Sequence, residues 1–392
     1  MGLILFVAEL GGGFGHVLRL MPIARAAAAA GHRVAFVVSN PEEAGGFVRA
    51  AGFEVMRTPR IPRAPGRAAS ASGPARTFAD LLGAIGFAES RTLASVTAAW
   101  DVLLADLQPT AIVCEHSPFL CLATFGGEVP VLVLGYGFIL PPPHLPQFPP
   151  LWSGPASYDE DRLLELCRRS CAARSRPEPS SLPLLFAGAA HAVTGLDALD
   201  PYRDLRDRAA VGPPELAIAR AEGPPESDFF AYLLGDASPT LAILDALRSS
   251  GLSGQVFVRR GVDAQRRLLH GSRVAWLEQP ASPADTLPKV RFIVHHGSML
   301  TSEESLAAGK PQLVVPLYFE HLLTARSLRE LGIATVVAAS GGQNAISQAL
   351  SETMAKDALT PRARAVSDDY WKRSSPSPDL PTKLLRLVTH VS

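Results

Sequence analysis

The sequence carries no excess of charge of either sign. Its 392 residues include 37 Lys and Arg against 37 Asp and Glu, which gives a formal net charge of zero. A protein that binds nucleic acid through its phosphates needs a basic surface, so this balance argues against nucleic acid as a partner. The sequence also lacks any apolar run of about 20 residues, which argues against stable insertion into a membrane.

Cysteine is scarce as well. The sequence contains four cysteines, none of them in a CxxC pair: Cys114, Cys121, Cys167 and Cys171. Neither a disulfide framework nor a typical zinc site is therefore predicted, and Cys167 and Cys171, one helical turn apart, are expected to be a reduced surface or packing pair rather than metal ligands. The segment Met1–Glu9 has no basic leader, and its short apolar run ends at Glu9, unlike a secretory signal. The expected compartment is the cytoplasm.

The length of the chain and the alternation of strand and helix patterns along it predict two domains. In both halves, short apolar runs typical of buried strands alternate with helical patterns, beginning with Leu3–Ala8 and again with Phe229–Leu234. This alternation is typical of α/β proteins and predicts two doubly wound parallel-sheet, Rossmann-like domains. We expect the first domain over residues 1–210 and the second over 228–375, joined by a Pro- and Gly-rich connection within 196–227.

The most informative stretch runs from His295 to Leu306. It follows Val290–Val294, an apolar segment predicted to be a buried strand, and continues as a helical pattern. A strand that turns directly into a helix leaves free backbone N–H groups at the helix start, where the helix dipole also favours anions. Side chains that can add hydrogen bonds there are His296, Ser298 and Thr301. Glu304 can bind the two hydroxyls of a ribose, so the stretch predicts a nucleoside diphosphate site.

The same stretch resembles the donor-binding signature of GT-B glycosyltransferases, close to family 1. That signature is His-Gly-Gly-x-Gly/Asn-Thr-x-x-Glu, then Gly-x-Pro, then Pro and an Asp/Glu-Gln pair. The matching residues are His296, Gly297, Thr301, Glu304, Gly309, Pro311, Pro316 and Glu320. Three residues depart from the signature: Ser298, Leu300 and His321. Ser298 and Leu300 replace glycine or a small residue and can narrow the approach of phosphate to the backbone, whereas His321 can alter which sugar is bound.

The resemblance implies how the donor is bound. It implies a nucleotide-diphospho-sugar co-substrate, with UDP or dTDP as the nucleotide, on the C-terminal domain and facing the N-terminal acceptor domain across a cleft. The implied donor-binding residues are His296, Gly297, Ser298, Thr301, Glu304, Glu320, His321 and Gly235. Glu320 and His321 would hold the sugar hydroxyls, and Gly235 would lie on a turn that faces the donor. The last helix, within 376–392, would pack back on the first domain.

No metal or other cofactor is expected. His296 and the N–H groups at the start of the helix that follows it would stabilise the negative charge of the leaving group. Asp159-Glu160-Asp161 resembles the DxD metal motif of another glycosyltransferase fold, but it stands at the start of a predicted helix. Carboxylates are ordinary in a first helical turn, so we interpret this triplet as a helix start.

A glycine turn after the first strand, Gly11-Gly12-Gly13-Phe14-Gly15-His16, resembles the start of GT-B proteins. The resemblance implies that His16 is the general base, because a neutral imidazole can take a proton from an acceptor hydroxyl as it attacks. Such a base works better beside a carboxylate. Glu115, at the end of a predicted strand, stands where the family has an aspartate, and His116 is the alternative partner. Arg19 lies on the same helical side as His16 and either holds an anion or is solvated.

The acceptor pocket is expected to include the Pro- and aromatic-rich segment 138–152. Prolines stiffen such a segment and aromatic rings offer apolar area, which favours a small, partly apolar acceptor. Phe138 and Phe148 are the predicted contacts in this segment, together with Phe14 of the glycine turn.

The sequence thus favours an inverting, metal-independent glycosyltransferase. Alternatives on the same fold are a transferase with a lipid-linked acceptor, a nucleotide-sugar epimerase and a non-catalytic partner protein. The nucleotide base, the sugar, the acceptor and the oligomeric state are left open.

Overall fold

The computed structural model describes residues 2–11, 14–62, 75–215, 218, 224–355, 359–373 and 377–389. The chain forms two compact units. Unit 1 comprises Met1–Glu215 together with Pro376–Ser392, and unit 2 comprises Leu216–Ser375.

Unit 1 contains a six-stranded parallel sheet. Its strands are β1 (Leu3–Ala8), β2 (Arg33–Val38), β3 (Glu54–Arg57), β4 (Ala111–Glu115), β5 (Val131–Gly135) and β6 (Ala190–Val193). They lie in the order β3-β2-β1-β4-β5-β6. The strands β1, β4 and β5 are buried along their whole length, as expected for a parallel sheet covered on both faces. The strand order changes direction between β1 and β4, and ligands of such sheets bind outside the carboxyl ends of the strands at that point.

The helices of unit 1 follow the strands in the usual crossover pattern. They are α1 (Phe14–Ala29), α2 (Gly45–Ala50), α3 (Phe78–Leu82), α4 (Ser90–Leu107), α5 (Pro118–Thr124) and α6 (Glu160–Ala172). A short π-helical segment, Gly83–Phe87, joins α3 to the turn before α4.

Unit 2 repeats the architecture. Its strands are β7 (Ser227–Leu234), β8 (Gly254–Arg259), β9 (Val274–Leu277), β10 (Val290–His295), β11 (Gln312–Val314) and β12 (Ala334–Val336), in the order β12-β11-β10-β7-β8-β9. The helices are α7 (Thr240–Ser249), α8 (Asp263–Leu268), α9 (Pro283–Thr286), α10 (Met299–Ala307), α11 (Phe319–Glu330), α12 (Gly342–Ala355) and α13 (Leu359–Arg373). The strand order changes direction between β7 and β10.

The last helix, α14 (Leu380–Thr389), belongs to unit 1. Its apolar residues recur at the spacing that places them on one helix face: Leu380, Leu384, Leu385 and Val388. That face is buried in the core cluster that also holds Phe6 of β1, Leu20 of α1 and Phe36 of β2. The end of the chain therefore helps to fix α1.

The structure confirms the predicted pair of doubly wound parallel sheets. The predicted connection is wrong over residues 196–215, because this segment belongs to unit 1. There Asp200 and Arg206 form a buried ion pair, and Arg206 also donates to the carbonyls of Gly137 and Leu140, at 3.1 and 2.7 Å. Residues 216, 217 and 219–223 of the connection lie outside the described residues.

Some elements were not predicted. The strand β6, at the edge of its sheet, is four residues long and too short for a periodic signal. The sequence pattern does not predict the helices α12 and α13 either. Among the helices described, none combines the length and the apolar character needed to span a bilayer.

Candidate active site

The first candidate site lies at the carboxyl ends of β1 and β4. Ala8 at the end of β1 pairs with Glu115 at the end of β4, and α1 begins at Phe14, after the glycine turn. His16 therefore stands in the first turn of α1, and its Nδ1 lies 3.0 Å from Oε2 of Glu115. The Glu115 side chain is fully buried, and that of His16 is 12% exposed. The structure thus brings together His16 and Glu115, the residues predicted from the sequence as the base and its carboxylate partner.

The contact with Glu115 selects one tautomer of His16. An ionised carboxylate only accepts hydrogen bonds, so Nδ1 carries the proton and the ring lone pair lies on Nε2. Nε2 lies against the Cα of Gly11, where an added Cβ would be 2.1 Å away. Gly11 also has φ +84°, in the left-handed region. This position therefore requires glycine for two separate reasons, whereas Gly12 and Gly13 lie outside the described residues.

Arg19 is not a solvated helix residue. Its side chain is only 2% exposed, and its Nε lies 3.5 Å from Oε1 of Glu115. Its Nη1 donates to the carbonyl of Thr194, just after β6, at 2.6 Å. Its guanidinium carbon lies 5.1 Å from the ring centre of Tyr136, just after β5, which suits a cation–π contact. Arg19 therefore connects the ends of three neighbouring strands and shares Glu115 with His16.

His116 was the alternative partner of His16, and it lies nearby without replacing Glu115. The two imidazole ring centres are 5.6 Å apart. Both ring nitrogens of His116 are buried and have no hydrogen-bond partner among the described residues. Burial, together with the neighbouring His16, lowers the pKa of His116 to about 3, so this ring is neutral at physiological pH.

Glu9 is a residue of the site that sequence reasoning missed. It follows β1 directly and is buried. Trp100 Nε1 donates to its Oε1 at 2.5 Å, and the N–H of Phe119 in the first turn of α5 donates to its Oε2 at 2.8 Å. Burial raises the pKa of this carboxyl to about 7, against the lowering effect of these bonds. The available signal was an acidic residue directly after the first strand.

The predicted acceptor residues Phe138 and Phe148 lie in an aromatic cluster. Each is 4% exposed, and each ring centre lies 5.4 Å from that of Phe78. Phe186 completes the cluster, edge-on to Phe78 at 5.4 Å. In this structure Phe138 and Phe148 therefore pack mainly against other aromatic rings.

Phe14, the third predicted acceptor residue, is only partly buried. Its ring packs edge-to-face on Phe47 of α2, with ring centres 5.0 Å apart, and Phe47 is itself exposed. This pair is therefore the more accessible of the two aromatic groups.

The second candidate site lies in unit 2, at the carboxyl ends of β7 and β10. His295, the last residue of β10, is buried and fixed on both sides of its ring. The N–H of Gly297 donates to its Nδ1 at 3.0 Å, so its Nε2 carries the proton and donates to Oε1 of Gln312 at 2.9 Å. This pairing holds the turn between β10 and α10 in place.

His296 is oriented by the neighbouring strand segment. Its Nδ1 lies 2.9 Å from the carbonyl oxygen of Val315, directly after β11. Its Nε2 is buried and has no partner in the described part of the chain. Burial lowers the pKa of His296 below its ordinary value, although the bond to Val315 opposes this shift.

The turn into α10 has the features of an anion site. Gly297 has φ +91°, and an added Cβ would lie 3.0 Å from the carbonyl oxygen of His321, so the turn is both left-handed and tight. The hydroxyl of Ser298 contacts that of Thr301 at 3.0 Å and does not cap the first turn of α10. The N–H groups of that turn are therefore not satisfied by the usual capping side chain.

The remaining predicted donor residues are spread around this turn. Glu304 is partly buried in α10, and Glu320 is partly buried in the first turn of α11. Burial and the neighbouring His296 and His295 lower the pKa of His321 to about 3. Gly235 lies at the turn after β7, where a Cβ would be 2.4 Å from the carbonyl oxygen of Arg260, so this glycine allows close packing.

The DxD-like triplet is a helix start in the structure. Oδ1 of Asp159 accepts from the N–H groups of Asp161 and Arg162, at 3.0 and 3.3 Å, at the beginning of α6. The cysteines are all free and buried. In the described ranges, no group of three or more His, Cys, Asp or Glu side chains is arranged to hold a metal ion.

Comparison with known sequences gives short matches. No family model matches the chain. It is 30% identical over 84 residues to the O-mycaminosyltylonolide 6-deoxyallosyltransferase of Streptomyces fradiae. It is 34% identical over 97 residues to the elloramycin glycosyltransferase ElmGT of Streptomyces olivaceus. The matches cover 21% and 24% of this chain, and the chain spans only 20% and 23% of the relatives' lengths.

Comparison with solved structures covers the whole chain. The calicheamicin glycosyltransferase CalG4 superposes with a TM-score of 0.65 at 18% identity, over 100% of this chain and 99% of its own. The glycosyltransferase VinC in complex with dTDP gives 0.67 at 14% identity, over 98% and 99%. The spinosyn rhamnosyltransferase SpnG with spinosyn aglycone gives 0.65 at 18% identity, over 98% and 100%. The chain therefore has the GT-B fold.

Proposed function

We propose that this chain is a glycosyltransferase. It transfers a sugar from a nucleoside diphosphate, dTDP or UDP, to a hydroxyl or similar nucleophile of a small, partly apolar natural product, with inversion at the anomeric carbon. The GT-B fold and the two Streptomyces matches support this function. The observation that carries it is the 3.0 Å contact between His16 and Glu115 at the point where the strand order of unit 1 changes direction.

In the proposed reaction, His16 is the general base. Its Nε2 takes the proton of the acceptor hydroxyl as the oxygen attacks the anomeric carbon. Glu115 keeps the proton of the resting ring on Nδ1 and stabilises the imidazolium that forms. The attack comes from the face opposite the leaving diphosphate, so the configuration at the anomeric carbon inverts.

The donor is proposed to bind at the second site. The uncapped N–H groups of α10 and the ring of His296 hold the diphosphate, while Glu304 binds the ribose and the pair Glu320 and His321 binds the sugar. Fixed dipoles of this kind stabilise a leaving anion without a metal, so we propose that the transfer needs none.

The acceptor is proposed to lie against the aromatic groups of unit 1. The partly exposed Phe14–Phe47 pair offers apolar surface, and the buried cluster around Phe138 and Phe148 supports the same region. The cytoplasm is the proposed compartment, since reduced cysteines are typical of it.

His16→Ala tests this function. We expect it to abolish transfer to the acceptor while dTDP and UDP still bind, because the proposed nucleotide site belongs to unit 2. His296→Ala or Glu304→Ala should instead weaken nucleotide binding. His270→Ala, on an exposed histidine that follows α8, is the control and should change neither property.

Two results would contradict the proposal. Absence of any nucleotide binding by the native chain would favour a non-catalytic protein on the same fold. A product that retains the anomeric configuration of the donor, seen by NMR of the glycoside, would exclude the inverting reaction.

A further inference from the structure

The tautomer of His296 is fixed by one hydrogen bond. Its Nδ1 lies 2.9 Å from the carbonyl oxygen of Val315, and a carbonyl oxygen can only accept. Nδ1 must therefore carry a proton. In the neutral ring, the other nitrogen, Nε2, then presents a lone pair and has no hydrogen to donate.

This arrangement is unfavourable for an anion. A diphosphate oxygen is also an acceptor. The lone pair on Nε2 of a neutral His296 would therefore face a lone pair of that oxygen, and the two would repel each other. The ring is only 6% exposed, and its Nε2 has no partner in the described structure, so no protein donor relieves the conflict. Only the imidazolium presents an N–H at Nε2, and such a charge-assisted bond to a phosphate oxygen is a strong one.

The neighbouring histidines do not supply that charge. His295 accepts from Gly297 at Nδ1 and donates to Gln312 at Nε2, so protonating it would break the bond that shapes the turn. His321 faces the N–H of Leu317 with its Nδ1, at 3.5 Å, and burial disfavours its charged form. The acidic groups on the adjacent helices α10 and α11 are Glu303, Glu304, Glu320 and Glu330.

We propose that His296 takes up one proton from solvent when the diphosphate of a nucleotide sugar binds beside it. The proposal rests on the proposed function for the identity of the ligand. During transfer, the bond between the anomeric carbon and the diphosphate oxygen breaks, and its electron pair stays on the diphosphate. The Nε2–H of His296 then donates to the anion that carries this charge. The proton returns to solvent when the nucleoside diphosphate leaves.

Calorimetry measures this proton directly. UDP-glucose and dTDP-glucose are titrated into the native chain at one pH, in buffers that differ in ionisation enthalpy. These probes are esterified at both ends of the diphosphate, so they carry no proton that titrates near neutrality, unlike free UDP. The slope of binding enthalpy against ionisation enthalpy gives the number of protons taken up. At about pH 7.5 we expect a value approaching one, because the free ring is neutral and the anion favours its charged form.

The affinity should follow the same linkage. Above the pKa of the free ring, the association constant should fall by up to tenfold for each unit of rising pH. His296→Gln keeps an amide donor without a titrating proton, so its binding should lose both the proton uptake and this pH dependence. His270→Gln, on an exposed histidine that follows α8, is the control and should keep both.

Each outcome is decisive. Binding by the native chain without proton uptake overturns the inference and leaves the proposed function intact. Uptake that persists in His296→Gln places the proton on another group and also overturns it. If neither nucleotide sugar binds, the proposed function fails, and the inference fails with it. If His296→Gln does not fold, the proton uptake measured on the native chain still tests the inference.

Discussion

Arg19 and Glu115 form a buried ion pair at the centre of the first candidate site, with Nε 3.5 Å from Oε1. The other carboxylate oxygen contacts Nδ1 of His16. One carboxylate thus lies between a fixed cation and an imidazole. The guanidinium therefore compensates the buried charge of the carboxylate whose other oxygen orients His16.

Replacing Arg19 by Met should therefore slow transfer. Without the guanidinium, the buried Glu115 carboxylate loses the partner at Oε1 and holds His16 less firmly in its catalytic position. We expect kcat to fall by roughly tenfold to a hundredfold, measured as the initial rate of glycoside formation.

Two further variants separate charge from structure. Arg19→Lys keeps the charge and should lower kcat less than Arg19→Met does, although lysine cannot reproduce the planar contacts of a guanidinium. Arg174→Met removes another largely buried arginine of unit 1, one that binds Asp101 and the carbonyl of Ala123. An equal loss of kcat in Arg174→Met would mean that the effect of Arg19 is merely structural.

Gly11→Ala should abolish most of the transfer activity. The new Cβ would lie 2.1 Å from Nε2 of His16, so the ring must move, and the residue has φ +84°. Displacement of a catalytic group by about 1 Å can cost about a hundredfold in rate. Gly251→Ala is the control, because Gly251 also has a positive φ, +70°, but open space around it. If both variants lose activity equally, backbone strain rather than the clash with His16 is responsible.

The sequence was sufficient for the sheets and for the pair of His16 and Glu115. Continuous apolar runs such as Leu3–Ala8 indicate buried parallel strands, and the carboxyl ends of such strands meet at one edge. Residues that follow β1 and β4 are thereby expected to meet, although they lie 99 positions apart.

The roles of Arg19 and Glu9 could not be predicted in the same way. Helical spacing places Arg19 beside His16, but its burial depends on a carbonyl at Thr194, 175 positions away in a strand end that carries little sequence signal. The burial of Glu9 depends on a hydrogen bond from Trp100 of α4. That contact follows from the packing of α4 and has no sequence signal. The tautomer of His296 likewise depends on a backbone carbonyl, which no side-chain pattern reveals.

The stability of unit 1 should depend on pH through Glu9. Its pKa is about 7 in the folded protein and near 4.5 when exposed, so the folded state holds the proton more tightly. The stabilisation is fully present below about pH 4.5 and is lost as the pH rises through about 7, by up to about 3 kcal/mol. Denaturant unfolding, followed by tryptophan fluorescence at several pH values, measures this loss.

Glu9→Gln isolates that contribution. Glu160, whose pKa is also raised to about 7, titrates in the same range in both proteins. The free energy of unfolding of the native chain minus that of Glu9→Gln should therefore shrink as the pH rises through this range. A difference that stays constant with pH would show that Glu9 is not the titrating group.

Leu384→Ala tests whether α14 stabilises unit 1. Leu384 is buried in the core cluster that includes Leu20 and Met21 of α1, the helix that carries His16. Removing its side chain should lower the free energy of unfolding by about 2–5 kcal/mol, whereas Leu387→Ala, at a position 45% exposed, should change it by less than about 0.5 kcal/mol. Below the unfolding transition, calorimetric binding of dTDP should be unchanged in both variants, because the proposed nucleotide site belongs to unit 2. Loss of nucleotide binding in folded Leu384→Ala would instead show that α14 supports the second unit as well.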